Sequence, residues 1–167
     1  WMLDEYEQIT GMHCPAAIND KPAILGIGGS LGGYEATGRG VARCTVEASE
    51  ELGMEPGSSN VVIQGFGQVG SIAAESLYAL GFRITAVSDI NGAIFNDNGI
   101  DIPALMEYAE KEKTIRGFSG AEAMDSSTLL EKECDILIPA AVQDVITSAN
   151  SSRLGEKLVL DAANAPT

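Results

Sequence analysis

The sequence predicts a doubly wound α/β domain with a mostly parallel sheet, on three observations. Short Val/Ile/Leu-rich runs alternate with longer helix-patterned segments along most of the chain. Those apolar runs carry no polar alternation, which is what a strand covered on both faces requires. A glycine-spaced turn, "GFGQVG" at 65–70, sits between one such run and the next helical segment, the place where an α/β sheet forms a ligand crevice.

Taken in order, residues 1–9 pattern as a short amphipathic helix with Trp1, Leu3, Tyr6 and Ile9 near one stripe. Residues 10–22 read as loop, interrupted by Pro15 and Pro22, with Lys21 a loop residue. "GIGGSLGGYEATGRG" at 26–40 is too rich in glycine to be regular throughout. A helix is expected from Thr37, as N-cap, to Leu52, with Gly53 as its stop. "PGSSN" at 56–60 is a turn. Strands are then expected at 60–64, 84–88, 134–138 and 157–161, separated by helices at 69–80, 102–112, 126–132 and 144–153. This divides the chain into a helical lead-in with its glycine-rich loop, 1–55, packed on a core at 56–167, a single domain overall. The chain opens on Trp1 within an already helical pattern, so a piece of a longer polypeptide is expected.

Bulk properties narrow the function. The 167 residues are 45% hydrophobic and carry a formal net charge of -14, enough apolar content for one sizeable core. So acidic a surface repels phosphate backbones and anionic lipid, which argues against nucleic-acid and membrane-surface roles. Any anion bound here must be held by local backbone N–H groups. Cys14, Cys44 and Cys134 are odd in number and widely spaced. They read as reduced thiols of an intracellular protein, each a small buried hydrophobe.

The glycines carry the chemistry. Gly65, Gly67 and Gly70 close one expected strand and open a helix. In a dinucleotide cradle the first permits a tight turn, the second lets backbone approach a pyrophosphate, and the third allows close helix–strand packing. Asp89 ends the next strand, about 20 residues on, where an acid accepts hydrogen bonds from a ribose hydroxyl. Two other readings stay open on pattern alone: a glycine turn selected only for packing, and a binder of S-adenosylmethionine using a glycine loop and a strand-end acid. A P-loop is excluded, since no Gly-Lys-Ser/Thr follows. His13, the sole histidine, has no ligand-spaced companions and reads as a loop residue; Ser30 and Ser71 lack a nucleophile elbow. "NDNGID" at 96–101 lacks the closing Glu of a calcium loop and reads as a turn, and "EASEEL" at 47–52 as a solvated helix face. No metal site is expected.

Together, "WMLDEY", "KPAILGIGGSLGGYEATGRGVA", "VVIQGFGQVGS", "AVSDINGAIFNDNGIDI", "CDILIPAAVQDVIT" and "LDAANAPT" resemble the glutamate dehydrogenase family, within the wider group of glutamate, leucine, phenylalanine and valine dehydrogenases. The resemblance runs from Trp1 to Thr167 and implies a Rossmann-type domain that binds NAD, the preferred cofactor, or NADP. It implies oxidative deamination of L-glutamate to 2-oxoglutarate and ammonia by the full-length cytoplasmic enzyme, and a homo-oligomer formed through a further N-terminal domain. The implied cofactor-binding residues are Thr37, Gly65, Phe66, Gly67, Gln68, Val69, Gly70, Asp89, Ala140, Ala141 and Asn164. Thr37 and Asn164 match positions at the nicotinamide end, Gln68 a pyrophosphate–ribose contact that is usually Asn, and Ala140 and Ala141 backbone passing beneath the cofactor. There are departures: "LGIGGSLGG" is two residues longer than the usual pattern, Gly33 replaces a basic residue, and Gln143 and Asp144 stand where Glu and Asn are frequent. The family's catalytic lysine and aspartate match nothing here, so this segment alone is expected to be inactive. The alternative is a non-catalytic nucleotide-binding or regulatory domain of the same fold.

Overall fold

The structure, a computed structural model, describes residues 1–18 and 28–164. The readings that fall on 19–27 (the loop to Pro22, Lys21, the start of the glycine-rich stretch) and on 165–167 lie outside the described residues. Along the chain run α1 (Met2–Thr10), α2 (Gly33–Glu51), β1 (Asn60–Gln64), α3 (Gln68–Ala79), β2 (Arg83–Asp89), β3 (Gly92–Phe95), α4 (Ile102–Glu112), β4 (Glu122–Met124), β5 (Ile136–Pro139) and β6 (Leu158–Val159). The chain falls into two compact units, Trp1–Ala36 and Thr37–Thr167.

In the first unit α1 ends where Gly11 takes a left-handed conformation (φ 67°) and donates its N–H to the Glu7 carbonyl, a glycine stop. The Glu7 carboxylate then holds the following turn, 2.8 Å from His13 Nδ1 and accepting from the Cys14 N–H at 3.0 Å. The lone histidine is thus an exposed turn residue.

In the second unit the sheet runs β4-β3-β2-β1-β5-β6. β1 pairs in parallel with β2 and β5, and β5 with β6, while β3 and β4 add antiparallel. The parallel heart follows from sequence: β1 and β5 are buried on both faces. One face (Val61, Ile63, Ile84, Val87, Ile136, Ile138) packs on Ala42, Ala74, Leu77, Ile102 and Leu105 from α2, α3 and α4. The other face (Val62, Ala86, Leu137) packs on Leu129 and Leu130 of a 3-10 turn, and on Cys134, Ile146 and Leu154. The second cover is therefore 3-10 turn and loop instead of α-helix. A register shift between Val61 and Val62 leaves one extra residue on β2; that bulge lets Ile84 and Val87, three apart, face the same side.

Several sequence expectations are corrected. α2 begins at Gly33, four positions before the expected N-cap, so Thr37 lies inside the helix. Its end is as expected: the Gly53 N–H meets the Glu50 carbonyl at 3.1 Å and Met54 N–H the Ser49 carbonyl at 2.8 Å, a Schellman stop at Gly53, φ 65°. Residues 126–131 form a 3-10 turn, not an α-helix. The helix expected at 144–153 does not form beyond a 3-10 turn at Ser151–Arg153. Asn150 explains this: its Oδ1 accepts from the Thr147 N–H and its Nδ2 donates to the Val145 carbonyl, both at 2.7 Å. Such side chains offer the backbone partners that compete with a helix. Asn96–Gly99 is the expected turn, and Asp101 caps α4 through the Ala104 N–H at 3.1 Å.

At the sheet's amino edge Asp135 joins three strands. Its Oδ2 accepts from the Asn60 N–H at 2.9 Å and its Oδ1 from Lys157 Nζ at 2.8 Å. The Asn60 N–H, and then Lys157, hold this carboxyl below the ordinary aspartate value of 3.8. A depressed folded-state pKa contributes stability that is present above the unfolded value and lost as pH falls through the folded one. Asp135→Ala is expected to cost about 1–3 kcal/mol near neutral pH, with the gap to the parent chain closing below pH 3.8. Urea melts at neutral and acid pH check this; a pH-independent gap would show that the charge plays no part.

Candidate functional site at the carboxyl edge of the sheet

The chain leaves β1 toward α3 on one side of the sheet, and β5 lies on its other flank. The carboxyl ends of β1 and β5 therefore border a topological switch point, where an open α/β sheet leaves a crevice. "GFGQVG" occupies that point, and its three glycines have three different steric reasons.

Gly65 has φ 99°, which side chains rarely adopt. A Cβ there would also lie 2.9 Å from the Ala140 carbonyl oxygen and 3.0 Å from the Ala141 Cβ. Gly70 is closed by α3 packing over the loop: its Cβ would come within 1.8 Å of the Gly65 carbonyl oxygen. Gly67 is the opposite case. Its φ of -83° and ψ of -160° suit most residues, and a Cβ would meet nothing within 4 Å. Packing has no need of glycine at 67, and the open space above it is a cradle that a side chain would fill.

α3 starts at Gln68 with no side-chain cap and no acid in its first turn, so its amino end presents the positive pole of the helix to that cradle. Phe66 packs against the helix-side core, and Gln68 and Val69 are exposed and half-buried. The Ala140 N–H donates to the Gln64 carbonyl at 2.7 Å, and the Gly65 N–H to Ser88 Oγ at 3.2 Å. Backbone bonding continues past β6, Ala162 N–H to the Pro139 carbonyl at 2.7 Å, which brings exposed Asn164 toward the same edge.

Thr37 is exposed on α2, beside buried Gly38. At Gly38 a Cβ would meet Ile72 Cβ at 2.7 Å and the Val69 carbonyl at 2.8 Å; this glycine lets α2 lie against the first turn of α3 and so sets Thr37 beside the glycine loop. Gly38 and Ser88 were missed in the sequence, although "EATGRG" carried the signal for the first: a glycine inside a helical pattern.

Asp89 lies at the carboxyl end of β2 as expected, but its carboxylate turns inward. Oδ1 accepts from the Asn91 and Gly92 N–H groups at 2.7 and 3.0 Å, and Oδ2 from Thr114 Oγ1 and the Ile115 N–H at 2.7 and 2.8 Å. Burial pushes this carboxyl up, but the four donors, led by Thr114, outweigh it and hold it below the usual range. With about four acceptor positions on a carboxylate, the free ribose acceptor expected at this position is already occupied within the fold. The side chain is an ionised anchor of the β2–β3 turn.

The cysteines are not the buried hydrophobes expected: Cys44 is exposed, and Cys14 and Cys134 are half-buried. Burial, with Glu156 and Asp135 nearby, pushes the Cys134 thiol up to about 12, so it stays protonated and is no nucleophile. Among the described residues no group of three or more His, Cys, Asp or Glu could hold a metal ion. An open depression of about 550 Å³ around Gly57, Arg83, Gly99 and Asp101 lies at the amino edge. None of the glycine-loop chemistry is there.

Three comparisons bear on this geometry. The sequence model of the Glutamate/Leucine/Phenylalanine/Valine dehydrogenase family matches residues 28–167. The catabolic NAD-specific glutamate dehydrogenase RocG of Bacillus subtilis is 36% identical over all 167 residues, which span 39% of its length. Among solved structures, the glutamate dehydrogenase of Peptoniphilus asaccharolyticus is 32% identical with a TM-score of 0.75, covering 100% of this chain and 38% of that one. The hetero-hexameric glutamate dehydrogenase of Thermus thermophilus shares the fold at a TM-score of 0.85 and 24% identity, over 98% of this chain and 38% of that one. The chain thus spans about two fifths of the relatives it matches.

Proposed function

The chain belongs to the glutamate/leucine/phenylalanine/valine dehydrogenase family, and on that premise we propose that it is the nicotinamide-dinucleotide-binding part of a glutamate dehydrogenase. The observation that carries this reading is the division of labour among Gly65, Gly67 and Gly70: two are required by turn and packing, and the third only by what must fit above it. A bound pyrophosphate would rest on the backbone from Gly65 to Gly70, with Phe66, Gln68 and Val69 shaping the loop. Ala140 and Ala141 would form the floor beyond Gly65, and Thr37 and Asn164 would serve the nicotinamide end. The cofactor would supply the hydride acceptor for oxidation of L-glutamate to 2-oxoglutarate and ammonia.

This chain's own residues bind and orient; none of them is assigned the proton transfers of deamination. The acid–base residues, and assembly into an oligomer, are assigned to the rest of a longer polypeptide. Among the described residues no helix is long and apolar enough to cross a membrane, and the cytoplasm is proposed as the place of work.

NAD is proposed as the preferred cofactor. The name of the Bacillus subtilis relative supports this, as does the ionised Asp89 at the end of β2. Arg83 cannot relieve that charge: it starts β2 at the opposite edge, its Nη2 donating to the Gly57 carbonyl at 3.2 Å. A like-charge contact near 4 Å costs on the order of 1–4 kcal/mol, so NAD is expected to bind roughly tenfold or more tightly than NADP. Calorimetric titration of the purified chain with each at one ionic strength tests the reading. No binding of either would sink it; equal affinities would sink only the preference. Glutamate and NAD with this chain are expected to yield no reduced-nicotinamide absorbance.

A further inference from the structure

Gln64, the last residue of β1, presents a buried polar atom with nothing to bond. Its Oε1 is shielded from solvent and has no hydrogen-bond partner. Strand alternation from Val62 puts the side chain on the sheet face opposite α3. Its register partners are Ser88 on β2 and Pro139 on β5, so it stands in the row that borders the crevice, directly before Gly65. Ser88 Oγ accepts the Gly65 N–H and makes no bond to Gln64 Oε1, and the Gln64 carbonyl takes the Ala140 N–H.

A buried acceptor without a donor destabilises the chain that carries it. An apolar residue would suit this position in the ligand-free fold, as it does at Val62 and Leu137 on the same face. Of the three such atoms among the described residues, Ser49 Oγ lies on α2 and Asn60 Oδ1 at the amino edge, while Gln64 Oε1 stands beside the glycine loop, where a bound ligand would explain it.

We propose that Gln64 is a dinucleotide-positioning residue whose carboxamide oxygen receives its missing hydrogen bond from the bound cofactor. The inference rests on the dinucleotide reading above. The donor is a ribose hydroxyl, the adenine amine or the nicotinamide carboxamide N–H, because a pyrophosphate offers acceptors only. Gln64 thereby trades stability of the free chain for affinity and for the seating of the cofactor beside the glycine loop.

Gln64→Met, of similar length and apolar, separates this from a structural role. The free variant is expected to melt roughly 2–8 °C above the parent, because the orphan acceptor is gone. It is expected to bind NAD about tenfold more weakly in calorimetric titration. ADP-ribose, which lacks the nicotinamide, locates the donor: weakened binding of both ligands places it on the ADP-ribose part, weakened binding of NAD alone on the nicotinamide. A free variant less stable than the parent, or NAD affinity equal to the parent's, overturns the proposal. Gln64→Leu guards against a peculiarity of one side chain, and failure of both variants to fold overturns it equally. Absence of NAD binding by the parent chain would instead sink the dinucleotide reading, a result distinct from any of these.

Discussion

Gly67→Val is expected to abolish dinucleotide binding while leaving the fold standing. The backbone at 67 lies in the extended region, φ -83° and ψ -160°, which a β-branched residue adopts without strain. Its Cβ would meet no atom within 4 Å, so overpacking costs nothing. The residual cost is that of a poorer N-cap for α3, about 1 kcal/mol. The isopropyl group would fill the space over the helix N-terminus that the pyrophosphate must enter, and affinity should fall at least roughly a hundredfold, about 2.7 kcal/mol. Gly70→Ala is the control with the opposite expectation. Its single methyl would stand 1.8 Å from the Gly65 carbonyl, so α3 or the loop must move, at about 3 kcal/mol or more. Thermal melts with calorimetric titration of both variants decide the matter. A Gly67→Val chain that binds like the parent would return the loop to a packing role; a Gly70→Ala chain that melts like the parent would show that the close approach is slack.

This contrast also shows what can be read from sequence and what cannot. The spacing of Gly65, Gly67 and Gly70 after an apolar run locates the loop, because the left-handed backbone at 65 and the close approach of 70 to the Gly65 carbonyl both demand glycine. The parallel strands were readable for the same kind of reason: burial on two faces leaves no room for polar residues in "VVI" or "ILI". β3 departs from the alternating strand–helix rhythm, and its one signal in the sequence is Asn91-Gly92 between two apolar runs, a hairpin turn. The segment 144–153 misled in the other direction, since its helix-like spacing says nothing of Asn150 bonding to Thr147 and Val145. The helix and glycine-loop pattern divides the chain into 1–55 and 56–167, whereas the compact units part between Ala36 and Thr37, within α2, whose buried stripe from Gly38 onward joins the sheet's core. Asp89 is the instructive case. Position put it at the right edge, yet the direction of its carboxylate depends on Thr114 and Ile115, residues that sequence distance hides.

Asp89→Asn is expected to do two things at once, and separating them tells what the residue is for. The amide keeps one acceptor oxygen but replaces the other with a donor. Of the four donors now satisfied, the Asn91 and Gly92 pair and the Thr114 and Ile115 pair cannot both be served. Losing charge-assisted bonds to partly buried N–H groups should cost about 2–4 kcal/mol at neutral pH. Because the four hydrogen bonds together outweigh burial and depress the folded-state pKa, this stabilisation is present above the unfolded value and is lost as pH falls through the folded one. Parent and variant should therefore converge below pH 3.8. The second effect concerns the cofactor. With both oxygens engaged, Asp89 can disfavour a 2′-phosphate through its charge but cannot add a hydrogen bond to the ribose of NAD. The variant should thus leave NAD affinity nearly unchanged and raise NADP affinity, moving a roughly tenfold preference toward unity. Titrations with NAD and NADP, made at a temperature where the variant is folded, read the two effects apart. Weaker NAD binding with NADP unchanged would mean that the carboxylate leaves its internal donors to meet the ribose after all. No change in either affinity would confine Asp89 to holding the β2–β3 turn.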